Sequence, residues 1–135
     1  MAFELHPQLA ADTAYVTDLP LCHVLLMNNQ HFPWLILVPR REELKELHNL
    51  QGSDYEQVMQ EIKQCSKRLA VHTKAHKMNV AALGNMIPQL HIHIIARFTH
   101  DTAWPKPVWS MTQNTTYTAD VLEQKAHEFA DLLIV

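Results

Sequence analysis

Pro88-Gln89-Leu90-His91-Ile92-His93-Ile94-Ile95-Ala96-Arg97 contains the most strongly marked strand in the chain. Side chains alternate across an extended segment, so Gln89, His91, His93 and Ile95 share one face while Leu90, Ile92 and Ile94 share the other. Two residues of extended backbone separate the imidazoles by roughly 6.5–7 Å at their roots. At that spacing one ring nitrogen can attack phosphorus while the other ring bonds a non-bridging or leaving oxygen. Neutral imidazole is a competent nucleophile near neutral pH and, unlike serine, needs no separate base. Two other readings share the same spacing: a solvated sheet face that happens to carry two histidines, and a pair sharing a zinc ion. Zinc wants a third or fourth ligand, and neither a cysteine nor an H-E-x-x-H motif supplies one here. His72 and His76, four apart, read as a polar helix face rather than as metal ligands.

The segments on either side decide what sheet this strand joins. Upstream, Asn79-Val80-Ala81-Ala82-Leu83 reads as a strand and Gly84-Asn85 as a turn. Before them, Tyr55, Val58, Met59, Ile62, Cys65 and Leu69 keep the three-and-four spacing of a long amphipathic helix. That helix is expected to start at a Ser53 or Asp54 cap and run to about Lys77, with Glu61, Lys63, Lys67 and Arg68 facing water. A short helix is expected from Glu42 through Leu47. Earlier still, Cys22–Met27 and Trp34–Val38 are apolar, β-rich runs separated by Asn28-Asn29 and stopped by Pro39, which predicts an antiparallel hairpin. The start of the chain offers a short helix with Pro7 in its first turn and a short strand near Tyr15-Val16. Downstream of Arg97, Trp104-Pro105-Lys106-Pro107 excludes regular structure. A last helix then begins near Thr118, with Val121, Leu122, Ala126, Phe129 and Leu133 inward. Strands, helices, strands and a helix in that order predict an α+β domain built on an antiparallel sheet.

Bulk properties narrow the function. At 135 residues with 47% apolar content, residues 1–135 fit one domain with a proper core. Cys22 and Cys65 lack a C-x-x-C spacing and read as reduced core fillers of a cytoplasmic protein. No leader pattern opens the chain, and no apolar run reaches the roughly 20 residues of a membrane span. A net charge of −3 argues against a nucleic-acid partner but not against a small nucleotide held by a few local donors. With only two glycines the chain has no Gly-rich phosphate loop, so phosphates would be held by side chains and backbone amides.

The strand Pro88–Arg97 resembles the signature of the histidine triad (HIT) family, H-φ-H-φ-H-φ-φ, where φ is apolar. The likeness extends back through Gly84-Asn85, Asn79 and Trp34–Pro39 and forward into the tail from Trp104 to Trp109, covering roughly Leu21 to Trp109. It is similar above all to bacterial members described as diadenosine tetraphosphate hydrolase-like. The resemblance implies an antiparallel sheet of about five strands, one long helix and shorter helices. It implies a nucleotide hydrolase or transferase with no metal or other cofactor, acting on a purine nucleotide as a homodimer. His91 falls on the family's nucleophile, which forms a covalent nucleotidyl-histidine, and His93 on the histidine that contacts the phosphate and helps the leaving group depart. Asn79 falls where an amide approaches the phosphates, Asn28 near the ribose contact, and Asn85 in the intervening turn. For Asn28 and Asn79, capping of a turn or strand end explains the residue equally well.

The chain departs from the pattern at Gln89, where the first histidine of the triad belongs, and at Trp34, where the family often has a fourth. Gln89 exchanges hydrogen bonds but cannot shuttle a proton. In the family the main-chain carbonyl of that first position holds the nucleophile's other nitrogen, and any residue supplies a carbonyl. Trp34 either walls the base or ribose pocket or packs in the core. Trp104 and Trp109 read as packing anchors of the tail. A nucleotide-binding module with weak or no turnover is the alternative, and a metal-dependent hydrolase using His91 and His93 a further one.

Overall fold

The computed structural model describes residues 2–134. A short helix α1 (Pro7–Asp12) leads into strands β1 (Thr13–Asp18), β2 (Cys22–Met27) and β3 (Trp34–Pro39). The long helix α2 (Ser53–Thr73) precedes β4 (Lys77–Ala81) and β5 (Ile92–Arg97), and α3 (Ala119–Leu133) closes the chain. The strands form one five-stranded sheet in the order β1-β2-β3-β5-β4, with every neighbouring pair antiparallel. The expected α+β architecture and its β2–β3 hairpin are present, with β5 at the interior of the sheet.

Both faces of that sheet are covered, which is why β2, β3 and β5 read as nearly unbroken apolar runs. Val24, Leu26, Leu35, Leu37, Ile92 and Ile94 meet Val58, Cys65 and Leu69 of α2 and Phe129 and Leu133 of α3. On the opposite face Leu25, Trp34, Ile36, Val38 and Ile95 pack against Leu9 of α1 and Ala103 and Val108 of the tail. The histidine face is this second one, because Ile36 stands opposite His93 and Trp34 opposite Ile95. Among the described residues no helix is long and apolar enough to cross a membrane.

Several details differ from the sequence expectation. The strand read over Asn79–Leu83 forms at Lys77–Ala81, and Tyr55 is exposed rather than on the buried stripe of α2. Glu61 does not face water: it is 1% exposed, and its two oxygens accept from the backbone N–H groups of Leu21 and Cys22 at 3.0 and 2.7 Å. A buried carboxylate is tolerable when its oxygens are so occupied, and this one ties α2 to the start of β2. The long helix stops at Thr73 rather than Lys77, because Lys74 turns into the left-handed region (φ 57°) and the N–H of Ala75 closes on the carbonyl of Ala70. No α-helix forms over Glu42–Leu47; Glu43 has φ 53°, which breaks a helix, and only a single 3₁₀ turn follows at Leu47–Asn49. Val121, in the first turn of α3, is exposed, whereas Ala126, Phe129 and Leu133 are buried as expected.

Candidate active site

His91 stands one residue before the first paired position of β5, Ile92. Pro88 has no N–H to offer a ladder, and the N–H of Leu90 turns aside to the carbonyl of Leu44 at 2.8 Å. The chain is therefore already extended at His91 but free of strand partners, and the ring projects at the mouth of the sheet. His91 Nδ1 lies 2.7 Å from the carbonyl oxygen of Gln89. A carbonyl only accepts, so Nδ1 carries the proton, and in the neutral ring the lone pair is on Nε2.

His93 follows on the same face, with ring centroids 5.0 Å apart at 72°. The two imidazoles are only 6% and 5% exposed, so they meet solvent through a limited opening. Trp34 Nε1 donates to His93 Nδ1 at 3.0 Å. The Trp109 ring stands edge-on to His93, centroids 5.0 Å apart. Burial and, second, the neighbouring His91 hold the His93 imidazole down to a pKa of about 4.

This depression has a sign for stability. The folded protein disfavours the imidazolium, so the unfolded chain binds more protons between the ordinary value of 6.5 and about 4. The His93 contribution is present above pH 6.5 and is lost as pH falls through that window, on the order of 3 kcal/mol in all. Urea unfolding at pH 7 and pH 4 is expected to show a larger loss for the native protein than for His93→Asn, which cannot titrate. Equal losses would place the imidazole in a more polar setting than the one described.

Both histidines line a cleft of ≈ 370 Å³. Its apolar wall comes from Leu9, Met27, Ile36 and Ile87, its rim from Gly84, Asn85 and Met86, and Asp12 and Trp109 also border it. Gly84 adopts φ 67°, a left-handed turn suited to glycine, in the loop after β4 that lines the cleft. Among the described lining residues there is one acid and no Lys or Arg. His91 also borders a smaller neighbouring cavity of ≈ 160 Å³ with Lys45 and His48. No group of three or more His, Cys, Asp or Glu among the described residues is arranged to hold a metal ion.

The structure thus brings His91, His93 and Asn85 to one cleft. The other candidates are engaged with the protein itself. Gln89 Oε1 accepts from the N–H of His6 at 2.8 Å and its Nε2 donates to the Glu4 carbonyl at 2.9 Å, so its amide secures the N-terminal segment. Asn79 Oδ1 accepts from Arg97 at 2.9 Å, and Asn28 Oδ1 from the N–H of Tyr117 at 2.9 Å. Trp34 lies behind His93 rather than in the lining.

Sequence reasoning did not single out Asp12, nor the buried pair that holds the tail. Arg97 and Asp101, 1% and 3% exposed, make a two-bond ion pair at 2.9 and 3.1 Å. Arg97 also donates to the Lys106 carbonyl, and Asp101 accepts from the backbone of Phe98, Ala103 and Trp104. This knot folds residues 98–106 under the sheet and so delivers Trp109 to His93. An Arg ending a strand with an Asp four residues on was the available signal, though across a strand end that spacing carries no fixed geometry.

The sheet order, the long helix and the histidine pair at the mouth of β5 define a histidine triad domain, and residues 8–100 match the HIT domain family. The chain belongs to that family. It is similar to a histidine triad protein from Bradyrhizobium japonicum at 42% identity over 100% of both chains, with TM-score 0.93. A histidine triad protein from Marinobacter aquaeolei VT8 shares 41% identity over 98% of this chain and 97% of that one, with TM-score 0.94. One from Sinorhizobium meliloti 1021 shares 36% over 97% of each, with TM-score 0.92. No curated protein matches the sequence.

Proposed function

We propose that the chain cleaves nucleoside 5′-monophosphate derivatives, whether phosphoanhydride, phosphoester or phosphoramidate, through a covalent nucleotidyl group on His91. The observation that carries this reading is the 2.7 Å contact of His91 Nδ1 with the Gln89 carbonyl, in a ring that borders the cleft. It leaves Nε2 as the only nitrogen of that ring able to attack, and it persists although Gln89 replaces a histidine. The apolar wall of Leu9, Met27, Ile36 and Ile87 suits the faces of a purine. The homodimer implied by the resemblance belongs to the same proposal, with the sheet free to continue at its edge strands β1 and β4.

Within this range the charge of the cleft favours substrates with few phosphates. The cleft itself presents Asp12 and no Lys or Arg among its described lining. The basic groups Lys45 and His48 stand in the smaller cavity that His91 also borders, so phosphates lying in the cleft gain little compensation. Acid-quenched incubation with the p-nitrophenyl ester of adenosine monophosphate is expected to show a mass increase of one nucleoside monophosphate on His91. Adduct formation from that ester should exceed formation from diadenosine tetraphosphate by at least about tenfold in kcat/KM, a difference of ~1.4 kcal/mol. Nucleotide binding with neither adduct nor product would instead identify a binding module. A faster reaction with the tetraphosphate would refute the charge argument while leaving the nucleophile in place.

A further inference from the structure

Trp34 and His93 make a contact whose chemistry goes beyond packing. The indole N–H is a donor only, and its 3.0 Å bond ends on His93 Nδ1. Nδ1 must therefore hold a lone pair, which puts the single proton of His93 on Nε2. The bond is buried, and the Trp34 ring is fixed from two sides by Phe32 and Trp109, with centroids 6.4 and 5.8 Å away. His91 and His93 are thus held in opposite states: a carbonyl fixes the proton of one on Nδ1, and an indole fixes the proton of the other on Nε2. Resting on the reading of His91 as nucleophile, we propose that Trp34 is a positioning residue that makes His93 a permanent neutral hydrogen-bond donor, so that the enzyme acts on leaving groups that depart as anions.

His91 Nε2 forms the bond to phosphorus, and the bond from phosphorus to the leaving atom breaks with its electron pair on that atom. The Nε2–H of His93 bonds a phosphate or leaving oxygen, but its proton stays on nitrogen, because surrendering it would create an imidazolate. Trp34 has only a donor to present at Nδ1, so no relay through the ring can replenish a transferred proton. Water then adds its oxygen to phosphorus, the pair of the N–P bond returns to His91 Nε2, and the water proton passes to solvent. Aryloxides and carboxylates leave under these terms, whereas an amine must first take a proton from solvent. Burial keeps the imidazole from becoming a cationic acid at ordinary pH. Among the described residues the titratable groups facing this chemistry are His91 beside it and Asp12 across the cleft, with Lys45 and His48 bordering His91 from the neighbouring cavity.

The test has two independent arms. Nitrogen NMR of the histidine-labelled native protein at pH 7 is expected to show His93 as the Nε2–H tautomer. Trp34→Phe, which keeps a ring and removes the N–H, should convert it to a mixture and raise the pH at which it titrates. In the second arm, native protein should turn over the p-nitrophenyl ester of adenosine monophosphate at least about 100-fold faster than the phenyl ester, the span that a missing general acid leaves uncorrected. Trp34→His, whose ring both accepts and donates protons, should narrow that ratio at least about tenfold. A native His93 protonated on Nδ1, or a tautomer unchanged in Trp34→Phe, overturns the proposal, as does a native rate indifferent to the leaving group. If no adduct forms on His91, the nucleophile reading fails by itself, and the NMR arm still decides the role of Trp34.

Discussion

His91→Ala is expected to lose turnover by about 10⁴-fold or more and to leave no acid-stable adduct, while nucleotide still binds. The magnitude follows from what the side chain alone supplies. Its Nδ1–H is anchored on the Gln89 carbonyl, its Nε2 lone pair needs no deprotonation, and no other nitrogen at the cleft has both features. His93 cannot substitute, because Trp34 occupies Nδ1 and a proton occupies Nε2. Binding should survive because the apolar wall lies on other elements, Leu9 on α1, Met27 on β2 and Ile36 on β3. His91→Gly leaves space for a free imidazole in place of the missing ring. Added imidazole should then restore nucleotide transfer in part, which a variant damaged only in its fold would not allow. Parent-rate hydrolysis of a nucleotide ester by His91→Ala would end the mechanism.

The residues most legible in the sequence were those whose periodicity and chemistry agree. Alternation alone places His91 and His93 on one face, and the rings stand 5.0 Å apart in a shared cleft. The same rule located the β2–β3 hairpin and the buried runs of β5. Misreadings arose where charge and periodicity conflict. Glu61 lies three residues after Val58 and four before Cys65, so the helical period already put it on the buried stripe. Charge suggested solvent, but the two open N–H groups at the start of β2 lie in another part of the chain and were invisible from α2 alone. The fate of Asn28 was obscured in the same way, since its partner is 89 residues away at Tyr117. Local sequence carries hydrophobic period well; it does not carry which distant backbone group a polar side chain will satisfy.

The largest effect on stability is expected at Asp101, and it tests how the tail reaches the site. Asp101→Ala removes the partner of a guanidinium that is 1% exposed and opens the three backbone N–H groups of Phe98, Ala103 and Trp104. Stripping one member from a buried ion pair costs about 3–5 kcal/mol, because the remaining charge stays desolvated. For a chain of this size that is roughly 10–20 °C in Tm. Arg97→Met should be milder, since it leaves a carboxylate still accepting those N–H groups and an apolar side chain between Phe32 and Trp104, where Arg97 now lies at 5.5 and 5.6 Å. Acid should expose the same pair. Burial works to raise the Asp101 pKa, but the bonds from Arg97, Phe98, Ala103 and Trp104 outweigh it and hold the carboxyl at about 2 against 3.8. Its contribution is therefore full above pH 3.8 and is lost as pH falls towards 2. Loosening the knot also frees Trp109 from His93, so Asp101→Ala should raise the titration midpoint of His93 as water reaches the ring. Thermal unfolding ranks the two variants, and histidine NMR follows His93. If Asp101→Ala melts no lower than Arg97→Met, the buried cation is not what the carboxylate restrains, and the link from the knot through Trp109 to the site is broken with it.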